Sequence, residues 1–379
     1  MIGVAVGTMA LVIVLSVFNG LEDLIKGLYA SFDAELKVEA SMGKSFEVNE
    51  DWLESIRNFP GVAVLTEVIE DNALLRYKDN QIVAKIKGVS DNFLEQGRFS
   101  QGHFVGDMSL GTDSQPAAIL GRGVGYFLTV DLDNEFDLLQ VFYPKNPRSG
   151  SIDPRNMYSR DIIKPVGYFS IDRQYDDEYV IVPLDFAQNL LSYGDKRTSL
   201  EIKVAEGQDV GKVKNALRAH LGNEFLVRDT DEQHASLLLT IKLEKLFVFL
   251  TLTFILAVAS FNIFFSLSML AIEKKKDIAV LFAMGATEGL IKSIYMKQGV
   301  IIAFSGAAVG LFLGFAVCWV QDTFGLVSLG VTSSIVESYP VKMAWTDFLY
   351  TSISVVIITF VASYRPAIIA SKVRTVDHL

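Results

Sequence analysis

A single cysteine, Cys318, stands in 379 residues, so no intrachain disulfide can staple this fold. The chain also lacks a basic excess. Lys and Arg number 34 against 44 Asp and Glu, a net charge of −10, which argues against a nucleic-acid binder. No G-x-x-x-x-G-K-[ST] occurs, so the chain has no phosphate-binding loop of its own for ATP. Gly121-Arg122-Gly123-Val124-Gly125 imitates a dinucleotide loop, but Tyr126 holds the sixth position, and a turn is expected there. There is no H-E-x-x-H and no G-x-S-x-G, and the four histidines (His103, His220, His234, His378) are too scattered to suggest a metal site. Catalysis by this chain itself is not expected.

The most informative absence is local. No Asp, Glu, Lys, Arg or His falls within Met1–Leu21, Leu246–Ile272, Gln298–Gln321 or Phe348–Tyr364. These runs hold 21, 27, 24 and 17 residues, against the roughly 20 that cross a bilayer. Four spans are expected at those bounds, and a purely soluble protein is excluded. A proton relay built on intramembrane charge is disfavoured. Met1 has no basic flank and no small-x-small cleavage pattern follows Leu15, so a retained first span is expected over a cleaved signal peptide, and a start lying further upstream would explain the missing flank.

What is present is sorted by charge. Residues 21–240 carry 23 basic and 36 acidic side chains, a net of −13. The loop 273–297 holds Lys274, Lys275, Lys276, Lys292 and Lys297, and the tail 365–379 holds Arg365, Lys372 and Arg374. The loop 322–347 holds only Lys342. An excess of Lys and Arg marks the cytoplasmic side. This places 273–297, the tail and the N-terminus in the cytoplasm, and 22–245 and 322–347 outside.

The block 22–245 reads as an α+β domain with a helical stalk at each end. Leu21, Leu24, Ile25, Leu28, Phe32 and Leu36 recur at helical spacing and continue the first span outward. Strands are expected at Ala63–Glu70, Asn72–Tyr77, Ile82–Val89, Ala117–Leu120, Phe136–Tyr143, Ile162–Phe169, Tyr179–Pro183 and Leu200–Val204. Helices are expected at Asp185–Tyr193 and Val210–Leu221, and along Asp229–Lys245 leading into the second span. Pro144–Arg160 interrupts the pattern with three prolines and four basic residues, and reads as a protruding loop.

Two further patterns bear on assembly. Gly306, Gly310 and Gly314 in the third span, and Gly3 and Gly7 in the first, form small-xxx-small faces for close helix approach, either within the chain or between copies. The loop Glu273–Lys297 places Ile278, Leu281, Phe282 and Gly285 on one helical face. Gly285-Ala286-Thr287 then breaks the helix, Gly285 suiting a C-terminal cap and Thr287 an N-cap. Such a helix either lies on anionic lipid through Lys274–Lys276 or docks in a groove of a cytoplasmic partner.

The stretch KKKDIAVLFAMGATEGLIKSIYMKQGVIIAFSGAAVGLFLGF resembles the signature of FtsX/MacB-type ABC-transporter permeases. The segment from Met9, and above all Ser16-Val17-Phe18-Asn19-Gly20, is similar to the first span and stalk of the lipoprotein-releasing permeases, LolC and LolE. Ala117–Tyr143 resembles their β-rich external domain, and RPAIIASKVRTVDHL their closing tail.

The resemblance implies a four-span membrane protein of the inner membrane, with a MacB-like α+β periplasmic domain between spans one and two. It implies a non-catalytic permease subunit with no cofactor of its own, ATP and Mg being held by a separate cytoplasmic ABC ATPase dimer. That ATPase would dock on Lys274, Lys275, Lys276, Asp277, Ile278, Ala279, Leu281, Phe282, Met284, Gly285, Ala286 and Thr287. The permease would pair with a second copy or a paralogue. It would release acylated lipoproteins to a periplasmic carrier. Val17, Phe18, Leu21 and Ile25 on the first span, with Leu243, Phe247 and Leu250 on the second, would face the lipoprotein. Lys145, Arg148, Arg155 and Arg160 would make a carrier-hooking loop. The alternative is an FtsX-like or MacB-like mechanotransmission subunit acting on cell-wall hydrolases or efflux partners.

Overall fold

The structure, a computed structural model, describes residues 1–98, 103–112, 115–134, 136–144, 158–328 and 338–372. The chain divides into two units. One contains Met1–Leu24 and the three long helices that follow Ser236, and the other is Ile25–Ala235.

The chain enters the second unit through the end of α1 (Ile2–Phe32). There follow β1 (Leu36–Ala40), β2 (Phe46–Glu47), α2 (Glu50–Arg57), β3 (Val62–Tyr77) and β4 (Asn80–Val89). A 3-10 turn at Asp91–Gln96 leads to β5 (His103–Gly106), β6 (Gly111–Thr112), β7 (Gln115–Gly121) and α3 (Arg122–Leu128). Then come β8 (Leu139–Pro144), β9 (Tyr158–Ser170), α4 (Arg173–Asp176), β10 (Tyr179–Pro183) and α5 (Leu184–Leu191). The unit closes with β11 (Lys196–Arg197), β12 (Ser199–Val204), α6 (Val210–Leu221), β13 (Phe225–Asp229) and α7 (Thr230–Gln233).

Nine of these strands lie side by side in the order β13-β1-β12-β3-β4-β10-β7-β9-β5. The pairs β4–β10 and β7–β9 are parallel and the other neighbours antiparallel. Strand alternation separates the faces. In β1, β12 and β13 the residues Leu36, Val38, Leu200, Ile202 and Val227 turn to one side, where Leu53 and Ile56 of α2 and Val213 and Leu217 of α6 cover them. A second core joins β3, β4, β8 and β10 to α3 and α5 through Leu75, Ile86, Val124, Leu128, Val141 and Leu190. A third gathers on Tyr29 and Phe32 at the end of α1, with Phe93, Phe169, Tyr175 and Ile181.

Several sequence expectations change here: α1 ends at Phe32, so Leu36 opens β1 instead of extending the helical stripe, and the strand expected from Phe136 begins at Leu139. Ala63–Glu70 and Asn72–Tyr77 are parts of one 16-residue strand. The polar Glu70–Asn72 stretch stays in the sheet because Glu70 lies opposite Lys87 and Asn72 opposite Lys85. Gly121–Gly125 opens helix α3 rather than a turn. Its glycines allow close packing, since an added Cβ at Gly121 would meet the Asp176 backbone and at Gly125 the Tyr168 ring. The Asp229–Lys245 helix is broken. Asp229 ends β13 and caps α7 by accepting from the Glu232 amide, and His234 separates α7 from the next helix. The Pro144–Arg160 interruption is shorter, because β8 and β9 pair as far as Pro144 opposite Tyr158, with Arg160 inside the strand.

The other unit contains the first part of α1 with α8 (Ala235–Glu273), α9 (Lys275–Ala283), α10 (Glu288–Phe324) and α11 (Trp345–Ser371). Helices α1, α8, α10 and α11 are each long and apolar enough to cross a membrane. All four extend past the uncharged runs that predicted them. A helix continues through an interfacial charge as long as its backbone hydrogen bonds propagate, so the apolar run marks the hydrocarbon slab rather than the helix.

Candidate functional site

The glycine faces are filled from within the chain. An added Cβ at Gly310 would meet the Ala5 carbonyl, at Gly306 the Met1 carbonyl and Val4, and at Gly314 Val12, so this stripe of α10 receives α1. Gly3 and Gly7 turn toward Ala259 and Leu256 of α8. Helix α1 is therefore gripped closely on two sides, as small residues allow.

Further along α1, the Ser16–Gly20 motif takes on a polar role. Asn19 accepts from Lys245 Nζ at 2.6 Å through Oδ1. Its amide donates to Asp347 Oδ2 at 2.6 Å and to the Lys342 carbonyl at 3.2 Å. Lys245 Nζ also lies 3.2 Å from both Asp347 carboxylate oxygens. The Ser16 carbonyl accepts from the Lys342 amide at 2.9 Å, and a Cβ on Gly20 would strike the Pro340 carbonyl. Helices α1, α8 and α11 and the segment before α11 thus converge on one junction, with Asp347 buried. Asp347 lies in the first turn of α11, where the helix dipole favours an anion. The site residues taken from the sequence omitted Asn19, Lys245 and Asp347. The available signal was that Lys245 and Asp347 each directly precede an apolar run.

An apolar groove of about 460 Å³ opens beside this junction, with Leu15, Leu246, Phe249, Tyr350 and Ile353 on its walls and Lys242 at its rim. The residues expected to face a lipoprotein divide around it. Leu243, Phe247 and Leu250 are exposed on α8, whose apolar window is 17% buried against 28–33% for the other three long helices. They continue into Phe254, Val258, Phe261 and Phe265, an apolar stripe at helical spacing that no described residue covers. Val17, Phe18 and Leu21 are half-buried. Ile25 belongs with the other unit, packed beside the Tyr29–Phe32 core.

The helix expected to dock on an ATPase is α9, shorter than Lys274–Thr287. Lys274 precedes it and pairs with Asp277 at 2.9 Å. Lys275 and Ala279 are half-buried and Lys276 is exposed. Gly285, at φ +95°, ends the segment in a conformation that favours glycine. Thr287 caps α10 by accepting from the Leu290 amide. The predicted single face is split. Ile278 is buried among Ile291, Tyr295, Ala367 and Ala370, with Phe282 and Ala286 packed beside it. Leu281 and Met284 are exposed, and Val280 joins them. The helix is thus anchored on one side and offers Val280, Leu281 and Met284 on the other.

Lys145, Arg148 and Arg155 lie outside the described residues. Arg160 sits in β9 opposite Phe142, its guanidinium 5.5 Å from that ring.

In the β-rich unit, the end of α1 rests on buried charge. Glu201 receives Lys87 Nζ at 2.8 Å and Arg98 Nη1 at 2.6 Å, and Arg98 also donates to the Phe32 carbonyl at 3.1 Å. Burial works against the Glu201 charge, but Arg98, Lys87 and Lys37 outweigh it and bring its pKa down to about 2. Beside this cluster, Tyr29 stacks on His234 with ring centroids 3.6 Å apart, and Asp33 binds both His234 and the Tyr175 hydroxyl at 2.6 Å. The last turns of α1 are thereby tied to the residue that precedes α8.

Residues 249–374 match the family described as FtsX-like permease C-terminal, and residues 1–132 match the MacB-like periplasmic core domain. The chain is 24% identical to the lipoprotein-releasing system transmembrane protein LolC of Xylella fastidiosa (strain 9a5c), covering 100% of this chain and 92% of that protein. It is 22% identical to the corresponding LolE of Haemophilus influenzae, covering 98% of this chain and 91% of that one. Among solved structures, the periplasmic region of MacB from Actinobacillus actinomycetemcomitans is similar over 55% of this chain and 94% of that chain, with 10% identity and a TM-score of 0.38.

Proposed function

We propose that this chain, which belongs to the FtsX/MacB-type permeases, is the membrane subunit of an ABC complex that releases acylated lipoproteins from the inner membrane to a periplasmic carrier. The observation that carries this reading is the similarity to LolC along the whole chain, across both units. In this reading the β-rich unit is periplasmic and α9 is cytoplasmic. The exposed Val280, Leu281 and Met284 meet a groove on a separate ATPase subunit, which holds ATP and Mg. The uncovered stripe on α8, with Leu243, Phe247 and Leu250, suits both acyl chains and a second permease copy or paralogue. The coupling route runs along α1 and α8. Their outer ends are joined by the Asn19–Lys245–Asp347 junction, and ATP-driven motion at α9 reaches the β-rich unit through them.

Depletion of the protein followed by fractionation of acylated lipoproteins tests this function. Retention of lipoproteins in the inner membrane is expected. Normal outer-membrane delivery would refute it. Normal delivery together with altered cell-wall hydrolysis would favour an FtsX-like mechanotransmission subunit, the second reading supported by the match at residues 249–374.

A further inference from the structure

The apolar groove beside the Asn19–Lys245–Asp347 junction carries a charge that its own walls leave unbalanced. Its ionic lining is Lys242 and Lys245 of α8 and Asp347 of α11, two cations against one carboxylate, a net of +1. Asp347 is already bound by Lys245 and by the Asn19 amide. Lys242 is exposed at the rim and makes no ion pair among the described residues. The rest of the lining is Leu15, Leu246, Phe249, Tyr350 and Ile353, with Ser354.

Three observations define what this groove accepts. First, its rim lies at the level of a membrane surface. Lys245 and Asp347 each directly precede an apolar run, on two different helices. Trp345 and Tyr350, on either side of Asp347 in the chain, are 89% and 57% exposed, as aromatic side chains are where a bilayer meets water. From Asp347 to Ser354, α11 runs roughly 10 Å, about two-thirds of one leaflet in a hydrocarbon core roughly 30 Å thick. Second, the occupant must be anionic at the rim and apolar below it. An apolar helix laid in the groove would cover the Lys242 ammonium without a counter-charge, which is costly. A phospholipid brings both parts, and the lysine stem can lie along its acyl chain. Third, the groove is not the uncovered stripe of α8. At 3.6 residues per turn, Lys242, Leu246 and Phe249 fall within roughly 60° of one another, and Leu243, Phe247 and Leu250 centre roughly 100° away.

We propose that this groove binds one phospholipid with a net-negative headgroup. The phosphate sits on Lys242, and an acyl chain lies against Leu246, Phe249 and Ile353, bracing α8 against α11 beside the Lys245–Asp347 pair. The proposal goes beyond lipoprotein release and stands or falls separately from it.

The test places one fluorophore in the groove wall. The full chain carries Phe249→Trp, with Trp52, Trp319 and Trp345 each replaced by Phe, and is purified in detergent after a thermal melt confirms its fold. Phosphatidylglycerol or zwitterionic phosphatidylcholine, brominated in the acyl chains, is added and quenching is followed. Half-maximal quenching is expected at an about fivefold lower fraction of phosphatidylglycerol, the discrimination that one basic side chain gives toward an anionic headgroup. Lys242→Gln should remove this preference with an unchanged melting temperature, because the side chain is exposed. Lys297→Gln, beside the apolar run of α10, should keep it. Equal quenching by the two lipids, or the same preference in Lys242→Gln, would overturn the proposal. Displacement of the brominated lipid by millimolar glycerol 1-phosphate would overturn it by showing a site for soluble phosphate. Displacement by an uncharged diacylated lipopeptide as effectively as by unbrominated phosphatidylglycerol would overturn it by giving the groove to lipoprotein acyl chains.

Discussion

Lys245 and Asp347, 102 positions apart in the chain, meet with Lys245 Nζ 3.2 Å from both carboxylate oxygens, and Asn19 bridges them from a third helix. The carboxylate is 5% exposed and the lysine 25%, so this pair has given up most of its hydration. Removing one member strands the other, whereas replacing both with apolar groups of similar volume does not. Asp347→Ala is therefore expected to lower stability in detergent by roughly 2 kcal/mol, and Lys245→Met/Asp347→Leu to recover most of that loss. Thermal melts of the three proteins check this. Equal melting temperatures for the wild type and Asp347→Ala would show that the junction does not hold the helices together.

Two glycines of α1 provide a matched comparison. Gly20 faces the Pro340 carbonyl with no room for a Cβ, while Gly27 has nothing within 4 Å. Gly20→Ala should displace the segment before α11 and lower the melting temperature. Gly27→Ala should leave it unchanged or raise it, since alanine is favoured over glycine in a helix by about 1 kcal/mol. A loss at both positions would show that helix flexibility, and not the Pro340 contact, is what Gly20 provides.

The split face of α9 lets the proposed ATPase docking be tested apart from folding. Leu281→Asp and Met284→Asp should abolish co-purification of the ATPase while the permease still accumulates, because both side chains are exposed. Ile278→Asp should reduce accumulation of the permease itself, since it places a carboxylate among Ile291, Tyr295 and Ala367. Quantifying permease and ATPase on one blot distinguishes the two. Full ATPase recovery with Leu281→Asp would remove α9 as the docking helix. Gly285 is a poor probe of docking, because its φ of +95° strains any L-residue placed there.

The buried charge around Glu201 predicts an acid response. Its folded pKa of about 2 lies below the ordinary 4.5, so its contribution is complete above pH 4.5 and is lost as pH falls toward 2. Over that window this carboxylate accounts for roughly 3 kcal/mol of acid destabilisation. Glu201→Gln should flatten the acid limb of an unfolding curve between those pH values. It should also lower stability at neutral pH by about 3 kcal/mol, because Lys87 and Arg98 are left buried without their carboxylate. An acid limb with the same slope in both proteins would assign the response to other groups.

Much of this architecture was legible from local pattern. Tyr179–Pro183 and Val210–Leu221 appear at the bounds the sequence suggested, because a β-branched run and an Asp209-capped amphipathic segment are strong local signals. The four apolar runs marked the four long helices for the same reason. Failures occurred where a distant partner decided the outcome. Asp71 fell between two expected strands until β4 carried the ladder through it, with Ile86 opposite. Ile278 and Leu281 looked equivalent until Ile291, Tyr295 and Ala367 claimed one of them.

The sequence by itself determined the four spans, their flanking charge and the acidic α+β block between the first two, because hydropathy and strand period are properties of neighbouring residues. Tertiary structure decided which groups meet. It placed Asn19, Lys245 and Asp347 in one junction, set α1 against the glycines of α10, and brought Lys87 and Arg98 to Glu201 of β12. Those contacts depend on helix packing and strand register between segments up to hundreds of residues apart, and no local window of the chain contains both partners.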